Sequence, residues 1–154
     1  MAAIRSFYEQ QVISSEMKGD RTTADMLPLV KSLTKVDPRN GSGGAGLSFC
    51  QLLRQQNASS SDEVGPATVF ISHAWKYNFL EFLRALEVRF KDQPGVRLWI
   101  DIFSHNQHDE LTSDEWITEF EQHIKRIKNT VMIVFPWDNP IPFTRLARPS
   151  QKGR

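Results

Sequence analysis

The hydrophobic pattern of this chain changes character at Pro66. Before it, apolar residues are sparse and follow helical steps. Ile4, Phe7, Tyr8 and Val12 recur at three- and four-residue intervals, which predicts a helix over Ala2–Met17 with Gly19 as its stop. Thr22 or Thr23 can cap a second short segment, Ala24–Lys35, which Pro28 starts or kinks. Asp37–Gly46 is rich in Gly and Pro and predicts a loop. Ser48 caps a brief helix, Phe49–Gln55, and Asn57–Pro66 is a polar connector.

After Pro66 the periods alternate. Ala67–Ser72 carries no charge and predicts a strand covered on both faces. Helix Tyr77–Lys91 follows, with Phe79, Leu80, Leu83, Leu86, Val88 and Phe90 in a wide apolar stripe, and Gln93-Pro-Gly95 ends it. Val96–Ile102 predicts a second strand and Phe103–Leu111 a polar loop. Thr112 with Glu115 makes a capping box for helix Ser113–Lys128, with Trp116, Ile117, Phe120, Ile124 and Ile127 facing inward. Val131–Phe135 is a third apolar strand, and Pro136–Pro140 turns away from it.

Strand, helix, strand, helix, strand with short links is a βαβαβ unit. The expected fold is therefore α/β, with a three-stranded parallel sheet and right-handed crossovers. All-apolar first and third strands suit central positions, while Arg97 suits an edge, so the expected order is 2-1-3. The expected organisation is a helical N-terminal extension over residues 1–66, the βαβαβ unit over 67–140 and an irregular basic tail over 141–154. That tail is too polar to cover the far side of the third strand. A bare apolar edge invites pairing, so a partner strand, or a larger fold of which this is a piece, is expected.

Composition narrows the function. The chain has 154 residues, 40% hydrophobic and 24% charged, with a formal net charge of +1. That balance gives no electrostatic case for nucleic acid or an anionic membrane. No apolar run approaches the ~20 residues of a membrane span, and Met1–Lys18 has no signal-peptide core, so a cytoplasmic protein is expected. Cys50 is the single cysteine and lies on an apolar face, as a small buried hydrophobe would.

Open α/β sheets place ligands at the carboxyl ends of their strands. Ser72, His73, Trp75, Asp101, His105 and His108 gather there. Trp75 and Trp137 can stack a nucleotide or sugar ring while Asp101, Asn106 and Gln107 bond its hydroxyls; equally, the two tryptophans can simply cover the end of the sheet. His105-x-x-His108 with Asp101 or Asp109 has usable metal-ligand types, but a loop spacing of this kind is weak and a solvated loop is preferred; no metal site is expected. A Ser72–His73–Asp101 nucleophile set fails on geometry, since adjacent residues on an extended backbone point to opposite faces. Gly41–Gly46 resembles a phosphate cradle only in its glycines: no strand precedes it and no Lys-Ser/Thr ends it. Glu119, Glu121 and His123 fall on the polar face of the last helix.

Three stretches together carry a resemblance: Ser72–Tyr77 (Ser-His-Ala-Trp-Lys-Tyr), Trp99–His108 (Trp-Ile-Asp-Ile-Phe-Ser-His-Asn-Gln-His) and Pro136–Pro140 (Pro-Trp-Asp-Asn-Pro). The chain from about Ser48 to Arg145 resembles Toll/interleukin receptor-like (TIR) domains, in particular a TIR-like group of algae and other protists. The resemblance implies the N-terminal half of a flavodoxin-like fold whose full form has five strands in order 2-1-3-4-5. It implies signalling by homotypic assembly or with another protein partner, and, for some members, cleavage of NAD as a substrate. It would place nucleotide contacts at Ser72, His73, Trp75, Asp101, Phe103, Asn106, Gln107, His108 and Trp137. In the look-alike group Thr-Arg continues Ala-Trp-Cys-Leu-Trp-Glu and so reaches the Glu that the NAD chemistry needs; here Thr144-Arg145 continues Leu-Ala-Arg-Pro-Ser-Gln. The expectation is a truncated form with little or no catalysis. The alternative is an NAD-cleaving enzyme in which Glu110 or Glu115 takes that role, because an oxocarbenium-like transition state needs a nearby anion.

Overall fold

The computed structural model describes residues 2–10, 21–35, 46–56 and 64–136. The expected helix beyond Gln10, most of the Asp37–Gly46 loop, Trp137 and the basic tail lie outside the described residues.

The N-terminal part supplies α1 (Ala2–Tyr8), a short 3-10 turn (Ala24–Met26), α2 (Leu27–Thr34) and α3 (Phe49–Gln56). Pro28 sits in the first turn of α2, where its missing N–H costs nothing. Thr22 and Asp25 cap the turn reciprocally: the Thr22 amide and hydroxyl donate to Asp25 Oδ2, and the Asp25 amide donates back to Thr22 Oγ1.

The sheet follows as β1 (Val69–Ser72), α4 (Phe79–Phe90), β2 (Leu98–Trp99), α5 (Asp101–Ser104), α6 (Ser113–Ile127) and β3 (Thr130–Met132). It is parallel throughout, in order β2-β1-β3, as the hydrophobic pattern predicts. Val69 pairs with Leu98, and Phe70, Ile71 and Ser72 pair with Thr130, Val131 and Met132. Asn78 caps α4 by accepting from the Glu81 amide, and the Thr112–Glu115 capping box opens α6 in both directions.

β1 divides two packing layers. Val69 and Ile71 join Phe7, Met26, Val30, Phe49, Phe79, Phe82, Leu83, Leu86, Ile100, Ile102 and Phe103 in one core cluster. The N-terminal helices are thus part of the same core as the sheet. Arg5 of α1 is also held to Glu87 of α4 through both carboxylate oxygens. On the opposite face Phe70 stacks on Trp99 at 4.7 Å, and Phe120 of α6 meets both rings edge-on.

Two expectations are corrected. The second strand is two residues, not seven, because Asp101 starts a helical turn instead of extending β2. Its Oδ1 takes the Ile102 amide, and Ser104 Oγ takes the Ile100 amide. These side-chain acceptors satisfy the backbone locally and compete with ladder pairing. As the order 2-1-3 requires, β3 has β1 as its single neighbour among the described residues. Finally, Ile117 and Ile124 do not face inward: they are 56% and 36% exposed. The face of α6 that meets the sheet runs through Trp116, Phe120 and His123, and Ile117 and Ile124 lie roughly a quarter-turn around from it.

Candidate functional site

The carboxyl end of β1 leads into the predicted rim. Ser72 passes its carbonyl to the Ile133 amide at 2.8 Å, which ties the rim to the stretch after β3. The His73 side chain is 1% exposed and stacks on Phe82 at 4.4 Å. Its Nε2 lies 4.0 Å from Asp101 Oδ1, beyond hydrogen-bond length, and has no hydrogen-bond partner. Burial holds the His73 pKa below the ordinary imidazole value, while the neighbouring Asp101 pulls it the other way. The imidazole is therefore neutral at neutral pH.

Asp101 is the junction of the rim. Its Oδ2 accepts the Trp75 indole N–H at 2.6 Å, its Oδ1 accepts the Ile102 amide at 2.7 Å, and its backbone carbonyl accepts the Gln107 side-chain amide at 2.9 Å. The sequence thus correctly gathers Ser72, His73, Trp75, Asp101 and Gln107 at one end of the sheet. However, their polar groups are largely turned on one another. The Ser-His-Asp relay lacks its His–Asp hydrogen bond.

The other candidates serve packing. Phe103 is buried among Phe7, Phe49 and Phe79, with ring centroids 5.5, 5.4 and 6.1 Å away. Asn106 bonds Asp109 Oδ1 and the Gly46 carbonyl and accepts from the His108 amide. His108 Nε2 lies 2.9 Å from the Thr34 hydroxyl, which itself donates to the Val30 carbonyl. Because that hydroxyl proton is spent, Nε2 of His108 is the donor, which fixes its tautomer. Gly46 is needed here: a Cβ would sit 2.1 Å from the His108 ring. Burial first, then Lys31, lowers the His108 pKa.

The two histidines of His105-x-x-His108 are pulled apart. His105 Nδ1 pairs with Glu119 Oε1 of α6 at 3.1 Å and packs edge-on against Trp116. Glu119 also lies 3.5 Å from His123, whose ring covers Trp99. Glu119 and His123 are therefore half-buried partners rather than a wholly solvated face. No group of three or more metal-ligating side chains is assembled among the described residues. Glu115 is held by Thr112, whose hydrogen bonds lower its pKa, and Glu110 is exposed. Cys50 is half-buried against Ser104, and burial raises its thiol pKa.

Two features of the rim escaped the sequence. Residues 21–24 run antiparallel along the loop after β1: the Thr23 and Ala24 amides donate to the Tyr77 and Trp75 carbonyls, and the Phe79 amide donates to the Arg21 carbonyl. The capping pair Thr22–Asp25 is the one local signal of that segment. Second, the Tyr77 hydroxyl donates to the Ile133 carbonyl and accepts the Phe135 amide, clamping the chain after β3. A cavity of about 220 Å³ lies beside this clamp, lined by Tyr77, Glu81, Phe82, Ile133, Val134 and Phe135. It is apolar, and none of the described nucleotide-contact candidates lines it.

No helix among the described residues is long and apolar enough to cross a membrane. No family model, curated protein or solved structure matches this chain.

Proposed function

We propose that this chain is a TIR-like protein-interaction module of the cytoplasm, with a flavodoxin-like arrangement, that works by binding a copy of itself or another protein rather than by catalysis. What carries this function is the closure of the rim. The Asp101 carboxyl is bonded to the Trp75 indole and to the Ile102 amide, Phe103 is core, and Asn106 and His108 are tied to the N-terminal segment. A nucleotide cleft needs open, convergent polar groups. Apolar surface is exposed instead at the β3 side of the sheet, at Met132, Val134 and Phe135. Of the two carboxylates offered for ribose chemistry, Glu115 is spent on its helix cap and Glu110 lies in an exposed loop.

The NAD-cleaving alternative draws on one observation, the unpartnered His73 Nε2 near Asp101, which a ligand hydroxyl would satisfy. Both are tested by incubating the purified chain with NAD and measuring nicotinamide. The interaction module releases none above the blank. Release that is lost on Glu110→Ala would establish the enzyme instead.

A further inference from the structure

We propose that the cavity beside the Tyr77 clamp receives a trimethylated lysine side chain of a partner protein. This rests on the interaction-module function for its choice of a protein partner.

The cavity is built between two segments. Asn78, Glu81, Phe82 and Ala85 follow one another at three- and four-residue steps, so they form one stripe at the start of α4. The chain after β3, residues 133–135, lines the other side. Tyr77 sets the gap, because its hydroxyl holds both the Ile133 carbonyl and the Phe135 amide. The space is about 220 Å³. Pockets for drug-sized ligands run to about 300–1,000 Å³. This one therefore suits a single side chain or head group, not a dinucleotide.

Aromatic rings form its walls. Tyr77 and Phe135 stand at 84° to one another with centroids 6.2 Å apart, and Phe82 is the third ring. Rings set at right angles make a corner, which lets one cation meet more than one π system. The Tyr77 hydroxyl is already spent in both directions, so this wall asks no hydrogen bond of a ligand.

Charge decides the occupant. Glu81 is the one charged side chain among the described lining residues, and its carboxylate has no hydrogen bond or ion pair among the described residues. A free carboxylate beside aromatic walls favours a cation. An ordinary lysine ammonium is strongly hydrated and brings N–H donors that apolar walls cannot satisfy, so burying it costs more than the walls return. Trimethylation keeps the charge, removes every N–H and turns methyl groups to the rings. Ala85, Val134 and Phe135 line the cavity and are themselves exposed, so apolar surface continues outside it for the peptide that carries the side chain.

The test is fluorescence anisotropy of a short labelled peptide carrying trimethyllysine, titrated with the full chain up to about 1 mM. The expected result is saturable binding. It is roughly tenfold tighter than for the same peptide with unmethylated lysine, or with carbon in place of the ammonium nitrogen, as one or two cation–π contacts would give. Glu81→Gln weakens it roughly threefold, as for a partly exposed ion pair. Phe135→Leu, which keeps apolar bulk and removes the ring, weakens it by a similar factor. Ala85→Leu fills the cavity from an exposed helix position and abolishes binding. Val88→Ala, at a 73% exposed site of α4 that does not line the cavity, leaves it unchanged. Circular dichroism checks that each variant keeps its fold. No binding at about 1 mM overturns the proposal. So does an unmethylated or uncharged peptide that binds as tightly, or binding that none of Glu81→Gln, Phe135→Leu and Ala85→Leu weakens. Choline or phosphatidylcholine vesicles bound as tightly as the peptide overturn the protein partner as the source. Nicotinamide release from NAD is measured on the same preparation: its appearance overturns the non-catalytic function, whichever way the peptide titration falls.

Discussion

Replacing Phe103 with alanine tests most directly whether the loop after β2 is a ligand site or part of the core. Phe103 is 2% exposed and touches three aromatic rings from three different segments, Phe7 of α1, Phe49 of α3 and Phe79 of α4. Truncating a buried Phe costs about 3–5 kcal/mol in transfer and cavity terms. The edge-to-face contact with Phe7 adds about 0.5–1.5 kcal/mol, and the tilted contacts with Phe49 and Phe79 are not additive with it. The loss is placed at about 4 kcal/mol, which for a chain of this size lowers the melting temperature by roughly 8–16 °C. Urea unfolding followed by circular dichroism and by tryptophan fluorescence measures it. The two signals are expected to shift together, because the ring bridges the N-terminal helices to the sheet. A loss below about 1 kcal/mol would refute the core placement. Separate transitions for the two signals would refute the single shared core.

Two further predictions concern the rim and its pH response. Trp75→Phe removes the indole donor from the largely buried Asp101 carboxyl and is expected to cost about 1.5–3 kcal/mol, the range for a hydrogen bond to a charged group; thermal melts of the two proteins at pH 7 check it. Burial holds His73, His108 and His123 below their ordinary pKa near 6.5, so the unfolded chain binds more protons than the folded one as pH falls. Stability is therefore full above about pH 6.5 and declines below it, and chemical denaturation at pH 7.5 and 5.5 should give a lower midpoint at the acid value; His73→Phe should reduce the difference.

The local pattern was sufficient wherever one short stretch satisfied its own requirements. The uncharged run Val69–Ile71 could only be a strand covered on both faces, and it lies centrally in the sheet. Thr112 and Glu115 cap α6 because both partners lie within one turn. Even the strand order followed from polarity, with Arg97 marking β2 as an edge. The gathering of His73, Trp75 and Asp101 was legible for the same reason: parallel strands deliver their carboxyl ends to one side.

What each of these groups does there was decided by partners remote in the chain. Asp101 starts a helical turn only because Ser104 and its own carboxyl satisfy the backbone that β2 would otherwise pair. His108 and Asn106 are committed to Thr34 and Gly46, more than sixty residues away on average, and no spacing within Phe103–Leu111 records that. Ile117 and Ile124 belong to the apolar stripe of α6 by period. They stay exposed because the helix seats on Phe70 and Trp99, away from Met132 of β3, which is exposed as well. Periodicity measures which residues can share a face, since it depends on the backbone alone. Which faces find a partner depends on how the elements pack against one another, and that only the tertiary structure decides.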